Sequence, residues 1–315
     1  MNHTLNELVA MVDASFYRSY ADLNELDDKA TFFYHIPKTG GLSLYYALYL
    51  SSIGQNKLPL NLNHTEVVKY DEAEFFEQIK VLPCNKKTFY ASHFSFPEHE
   101  KFDPAMNLMT IVREPFKRIV SSFTYYCMRH QKVPNIIDFV AFYKDEANQN
   151  VMSKQLFAKV PEHCNSSEFG QTVFDHLQQH FTYFASTEHI TLFIEYYLSK
   201  LKLSNVLMPR MNETSAEYLF DASAALDEVL ALNQADLSLY SLICQSPKLP
   251  DFSAISANSI SNLTTVIASE DSDQGSKAKG MTGQTQEVHM LLNNLKQHFK
   301  DEPIKVKTNE IIGAY

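Results

Sequence analysis

The chain has no tryptophan, and its four cysteines, Cys84, Cys127, Cys164 and Cys244, lie far apart with no CxxC pair among them. That spacing excludes a zinc knuckle and a disulfide framework. Scattered reduced thiols are the ordinary state in a reducing compartment. No apolar run reaches about 18 residues, so no transmembrane segment is predicted. Met1 to Ala30 carries acidic residues and lacks the basic-then-apolar pattern of a signal peptide. Positive charge is scarce: 27 Lys and Arg stand against 37 Asp and Glu, a formal net charge of −10. Nucleic acid is therefore not an expected partner, though one local cationic pocket is compatible with that balance. No cluster of metal-ligating residues stands out, and no metal is expected.

What is present is a large apolar fraction, 45%, with 22 Phe and 17 Tyr in 315 residues. This is enough for one large α/β domain with an appendage. The stretch Thr31 to Leu50 organises the rest. Thr31 to Ile36 is short, β-branched and aromatic and is stopped by Pro37, the pattern of a buried strand. Gly40-Gly41 allows a tight turn and close approach to the main chain. From Leu42, the apolar residues Leu44, Tyr45, Leu48 and Tyr49 recur at helical spacing. A helix that begins at a glycine turn aims free N–H groups and a positive dipole end outward. With Lys38 beside it, the turn reads as an anion site, and a phosphate is the expected occupant.

A Walker A loop, G-x-x-x-x-G-K-[ST], places its lysine after the glycines. Here Lys38 comes before them. The segment Pro37-Lys38-Thr39-Gly40-Gly41-Leu42-Ser43, preceded by His35, closely resembles the HxPKTGGTS loop of carbohydrate sulfotransferases that use 3′-phosphoadenosine 5′-phosphosulfate (PAPS). That family includes heparan sulfate 2-O-sulfotransferase. Leu42 departs from the pattern, since the family has threonine there. The resemblance implies that Pro37, Lys38, Thr39, Gly40, Gly41, Leu42 and Ser43 bind the 5′-phosphosulfate of PAPS.

Two further stretches carry chemistry. Lys87 to Ala91 reads as a strand that runs into His93. A histidine at a strand end of an α/β fold sits where ligands bind, and it can take a proton from a hydroxyl near neutral pH. The plainer reading is a solvent-facing loop histidine, one of 12 in the chain. Tyr90 to Phe96 resembles the family's Y-H-G-H-V-S-Y/F motif, whose second histidine, the proposed catalytic base, falls on His93. The first falls on Ala91, so that histidine is absent. Next, Asn107 to Val112 reads as a buried strand, followed by Arg113-Glu114-Pro115 and a helix from Phe116 to His130. Pro115 suits a first helical turn. An arginine fork with a hydroxyl is a phosphate-binding pair. Arg113, Glu114, Pro115, Arg118 and Ser121 fill the family motif R-[DE]-P-x-x-R-x-x-S, which assigns Arg113 and Ser121 to the 3′-phosphate. Arg118 is expected at the helix surface or in a salt bridge.

The remainder is read more coarsely. Residues 1–30 are expected to be helical. Ser51 to Asn63 reads as a polar loop, Asp71 to Ile79 as a helix, and Pro134 to Gln155 as one helical stretch with Asn148-Gln149-Asn150 on a groove or on solvated surface. Val173 to His180 reads as a helix, Phe181 to Ala185 as a strand, and Ala224 to Ser246 as a helical tail. Ser186 to His189 is similar to a family G-x-T-E segment. Pro209 to Thr214 resembles a short family loop, R-x-N-x-[ST], and makes Arg210 a second candidate cation for the nucleotide. Asp236 to Tyr240 resembles the closing D-x-x-L-Y. Residues 31–250 thus form the expected sulfotransferase domain, 251–285 a flexible linker rich in small and polar residues, and 286–315 a C-terminal helix and tail.

The expected fold is a P-loop-like parallel sheet flanked by helices, similar to sulfotransferases and nucleotide kinases, with a helical C-terminal part. The expected activity is transfer of a sulfuryl group from PAPS to a carbohydrate hydroxyl, with His93 as base, Lys38 at the leaving group and no metal. The resemblance, taken with the missing membrane anchor, implies a soluble cytoplasmic member of bacterial type. Two other classes remain open at this stage. One is an ATP-dependent small-molecule kinase; the other is a non-catalytic nucleotide-binding or partner module.

Overall fold

In a computed structural model, the structure describes residues 12–15, 29–41, 43–44, 48, 61–64, 88–96, 106–200, 208–209, 218–250 and 265–266. Eight strands are described: β1 (Val12–Ser15), β2 (Thr31–Tyr34), β3 (Asn61–His64), β4 (Thr88–Ser92), β5 (Asn107–Val112), β6 (Tyr183–Ser186), β7 (Met208–Pro209) and β8 (Thr265–Val266). Five of them make one parallel sheet in the order β3-β4-β2-β5-β6. All of β2 and β5 is buried. That is the physical reason for their unbroken apolar sequences, because a parallel sheet is covered on both faces.

Alternate residues feed two cores. Phe32, Tyr34, Tyr90, Leu108, Val112 and Phe184 pack on one face with α4 (Ser167–His180) and α7 (Gln234–Gln245). Phe33, Phe89, Ala91, Met109, Ile111 and Ala185 pack on the other with Phe193, Ile194, Tyr196 and Tyr197 of α5 (Ile190–Lys200) and with Leu44 and Leu48. A third cluster joins α1 (Pro115–His130) and α2 (Ile136–Lys144) to Val229 of α6 (Leu226–Ala231).

Several expectations need correction. β1 lies within the segment expected to be helical and pairs antiparallel with β7 and β8. Its partners come from remote parts of the chain, so local periodicity could not register it. β8 falls within the expected linker, and β3 begins inside the expected polar loop. β3 is an edge strand with one neighbour, which frees it from the continuous apolar pattern of β2. The expected helix from Pro134 to Gln155 is interrupted: α2 ends at Lys144, a short 3-10 turn spans Glu146–Asn148, and α3 covers Val151–Gln155. The chain turns extended at Asp145 and again at Gln149, and α3 restarts from Asn150 in a left-handed conformation at φ 50°, one that asparagine tolerates better than most residues. The expected helix at Asp71 to Ile79 lies outside the described residues, as do residues 286–315.

The register fixes where a site can form. Tyr34, the last residue of β2, pairs with Ser92, the last of β4, and with Thr110 near the end of β5. Three adjacent carboxyl ends therefore open side by side, the position where open α/β sheets bind ligands.

Candidate functional site

The turn after β2 is held from within. The Thr39 hydroxyl donates to the Ile36 carbonyl at 2.8 Å, so this buried hydroxyl is engaged in shaping the turn. Lys38 and Gly40 are both left-handed, with φ of 70° and 83°. Gly41 is the first helical residue after the turn. The close approach anticipated at the glycines is made by the chain itself: a Cβ on Gly41 would collide with the ring of His35, whose Cγ would lie 2.6 Å away. Leu42, in the middle of this loop, lies outside the described residues.

His93 follows β4 directly. Its ring is half-buried, and its centroid lies 4.3 Å from that of His35. Nδ1 of His93 is 2.5 Å from the His35 backbone carbonyl. A carbonyl can only accept, so Nδ1 carries the hydrogen. In the neutral ring, Nε2 is then the basic nitrogen.

Arg113 follows β5. Its Nη1 donates to the Lys38 carbonyl at 3.1 Å, and its backbone N–H meets Met152 Sδ at 3.5 Å. Burial pulls the guanidinium below its usual range, while Glu114 and Glu188 oppose the shift; an arginine stays charged throughout. Glu114 caps α1, accepting from the N–H groups of Phe116 and Lys117 at 3.0 and 2.7 Å. α1 then forms a wall on which Lys117, Ser121 and Tyr125, four residues apart, line one cleft. Lys38 Nζ lies 4.2 Å from the centroid of the Tyr125 ring, within cation–π range.

Arg118 departs from expectation. It is 2% exposed, not on the surface. Its Nη2 donates to the Asn148 carbonyl at 3.1 Å. Burial pulls its guanidinium below the usual range, the Asp236 carboxylate opposes that, and Arg113 adds to it. Asp236 is fully buried at the start of α7. Its Oδ1 accepts from the Ser153 N–H and hydroxyl, each at 2.8 Å, and its Oδ2 from the Met152 N–H at 3.2 Å. It thereby caps α3 from a distance of 83 residues in sequence. Asn150 is likewise internal, accepting on Oδ1 from the N–H groups of Ala235 and Asp236 at 3.1 and 3.3 Å. Asn148 faces the cleft.

These elements enclose a cleft of about 1510 Å³ whose lining includes Pro37, Lys38, Gly40, Gly41, Ser43, His93, Arg113 and Ser121. Of the residues singled out in the sequence, those eight meet at one place. Thr39 is behind them, and Arg210 lies outside the described residues. Among the described residues, seven Lys or Arg side chains and two carboxylates, Asp138 and Asp145, line the cleft. The cleft lining is thus cationic in an acidic chain, with Lys38 and Arg113 beside the strand ends. The arrangement can hold a multiply charged anion, and it can present a basic nitrogen to a hydroxyl. Among the described residues no group of His, Cys, Asp and Glu is placed to hold a metal ion, and no helix is long and apolar enough to cross a membrane. Cys127, Cys164 and Cys244 are free thiols.

Residues 25–241, well over half of the chain, match the sequence model of the sulfotransferase family. The chain belongs to that family. It is a sulfotransferase, an enzyme of sulfuryl transfer. Among solved structures, a mouse sulfotransferase, SULT7A1, complexed with PAP is 12% identical, with 93% of this chain and 92% of that one covered and a TM-score of 0.32. A retinol dehydratase in complex with androsterone and inactive cofactor PAP is 11% identical over 65% of this chain and 81% of that one, with a TM-score of 0.25. Neither likeness is close enough to carry an argument, and the family match stands by itself. No curated protein sequence matches the chain.

Among the residues of the sulfotransferase cleft that sequence reasoning missed are Tyr125, Lys154 and Gln155. Tyr125 was legible in principle, because it continues the four-residue spacing from Ser121. Gln155 and Lys154 gave no signal. They reach the cleft because the chain breaks after Lys144 and restarts as α3.

Proposed function

We propose that this sulfotransferase uses PAPS as donor and a carbohydrate hydroxyl as acceptor. Lys38, Ser43 and the amides of the Pro37 to Ser43 turn hold the 5′-phosphosulfate. Arg113 and Ser121 hold the 3′-phosphate, and Arg210 is a second cation on the nucleotide side. The acceptor oxygen attacks sulfur in line with the departing phosphate oxygen. The new O–S bond forms as the S–O bond to phosphate breaks, and His93 Nε2 takes the hydroxyl proton. Lys38 and the helix start neutralise charge that grows on the leaving oxygen, as in phosphoryl transfer. The product nucleotide is adenosine 3′,5′-bisphosphate (PAP).

The observation that carries this reading is the meeting of Lys38, His93, Arg113 and Ser121 in one cleft. Lys38, His93 and Arg113 follow the ends of three neighbouring strands and Ser121 lies on α1, so a cation, a candidate base and a hydroxyl share one opening, which supports the reading. The cleft exceeds the few hundred cubic ångströms that a compact ligand fills, leaving room for an acceptor beside the nucleotide. The carbohydrate assignment rests on the resemblance of the three motifs to carbohydrate sulfotransferases.

Calorimetric titration with PAP, with ATP as the comparison, tests the donor. Tight PAP binding with weak ATP binding supports it, and preference for ATP moves the protein to a kinase reading. Transfer from sulfur-labelled PAPS to a panel of polysaccharides, compared with phenols and steroids, tests the acceptor. Labelling of only the non-carbohydrate acceptors would overturn that part. A His93→Ala protein with parental transfer rate would remove His93 as the base.

A further inference from the structure

Gln155 ends α3 and is 7% exposed, yet it reaches the cleft. Its side-chain nitrogen lies 3.1 Å from the His35 carbonyl and 3.5 Å from the Phe94 carbonyl. Both partners can only accept, which identifies that atom as the amide nitrogen and fixes which way the group points. The Gln155 backbone carbonyl in turn accepts from the Phe96 N–H at 2.8 Å. One residue therefore holds the loop just after His93, at Phe94 and Phe96, together with the His35 carbonyl that faces His93.

The oxygen it holds matters most. The His35 carbonyl accepts from Gln155 and is also the partner of His93 Nδ1. That oxygen is what selects the Nδ1–H form of His93 and so leaves Nε2 basic. We propose that Gln155 is a positioning residue for the reaction: it fixes the His35 carbonyl and the Phe94 peptide so that His93 keeps one tautomer and one ring orientation. The proposal rests on His93 being the base. Gln155 does not touch the reacting atoms; it acts through His35.

The reason to expect a large effect is geometric. A histidine ring can rotate by half a turn about its Cβ–Cγ bond, which exchanges the position of Nδ1 with that of a carbon. A well-placed acceptor for Nδ1–H opposes that rotation. A carbonyl anchored by the buried amide of a helix is such an acceptor, whereas a carbonyl in a loop with no anchor can turn away.

The test uses the full chain with its histidines labelled with nitrogen-15. Ring nitrogen shifts are read at a pH where imidazole is neutral, and the His93 signals are assigned by their loss in His93→Ala. The parent is expected to show the Nδ1–H tautomer alone. Gln155→Met keeps an unbranched side chain of similar length but removes the donor. In it, His93 is expected to show averaged ring shifts of mixed tautomers, and transfer from labelled PAPS is expected to drop at least tenfold at saturating PAPS. Leu156→Ala is the control, a fully buried sequence neighbour whose side chain has no hydrogen-bonding group to offer the His35 carbonyl; it is expected to lower thermal stability and leave the tautomer unchanged. If Gln155→Met retains the pure Nδ1–H pattern, or if Leu156→Ala disturbs the tautomer equally, the inference is overturned. A parental rate in His93→Ala overturns instead the base assignment beneath it, and the tautomer spectra distinguish the two failures.

Discussion

Arg113 and Lys38, 75 residues apart, are joined by a hydrogen bond from the Arg113 guanidinium to the Lys38 backbone carbonyl at 3.1 Å. The end of β5 thus braces the turn that follows β2. Arg113 has further N–H groups to offer an anion while one is spent on the turn. Arg113→Ala is expected to weaken PAP binding by about 10- to 100-fold, the loss of one or two charge-assisted bonds. Arg113→Lys restores little, because a point charge cannot brace and bind at once. Unchanged PAP affinity in the alanine variant, by calorimetry, would remove Arg113 from the site.

Lys38 separates chemistry from folding. It sits in the left-handed region at φ 70°, where glycine is at ease and lysine is not. Lys38→Gly is expected to keep stability within about 1 kcal/mol of the parent, relief of backbone strain offsetting the freer unfolded chain. The transfer rate is expected to fall by about two orders of magnitude or more, the usual loss when charge stabilisation of a leaving group is removed. Thermal unfolding and a labelled-PAPS assay on the same sample check both halves.

Asp236 is a buried carboxylate whose charge opposes the effect of burial on Arg118. Asp236→Ala removes that charge and leaves three donors of α3 unmet. The expected loss is about 3–5 kcal/mol, from three buried donors left unmet. Denaturant unfolding measures it; a loss below about 1 kcal/mol would show that α3 does not depend on Asp236.

Tyr143 gives a pH signature. Burial and the 2.6 Å hydrogen bond to Glu228 push its hydroxyl up from 10.0 to about 12. The folded state therefore holds this proton more tightly than the unfolded chain. The stabilisation is complete below pH 10 and is lost as pH rises from 10 to about 12. Tyr143→Phe is expected to be less stable than the parent at neutral pH and to show a shallower fall across that alkaline window. Parallel stability curves for the two proteins would contradict the assignment.

What the sequence made legible follows from burial and from local chemistry. β2 and β5 announce themselves because both faces are covered. The turn at Lys38 and the helix start at Pro115 are written in consecutive residues, so the placement of Lys38, His93, Arg113 and Ser121 relative to their strands and helix was legible locally. β3 was not, because Asn61 and Asn63 at a sheet edge look like loop. The inward position of Arg118 was not, because a helix of alternating polar and apolar residues does not say which charge has a buried partner. Gln155 was the hardest to see: its contact with His35 spans 120 residues, and no local pattern encodes it.

The shortness of α3 has a consequence for how the site fails. Five residues cannot sustain a helix unaided, so α3 persists only while the start of α7 holds it. The same five residues contact the Arg113 amide through Met152 and the His93 loop through Gln155. Opening of α7 would therefore release both at once. In amide hydrogen exchange, Arg113, Phe96 and Ser153 should become unprotected together, as one cooperative unit. With the roles proposed for Arg113 and His93, occupancy and competence are expected to be lost in a single step.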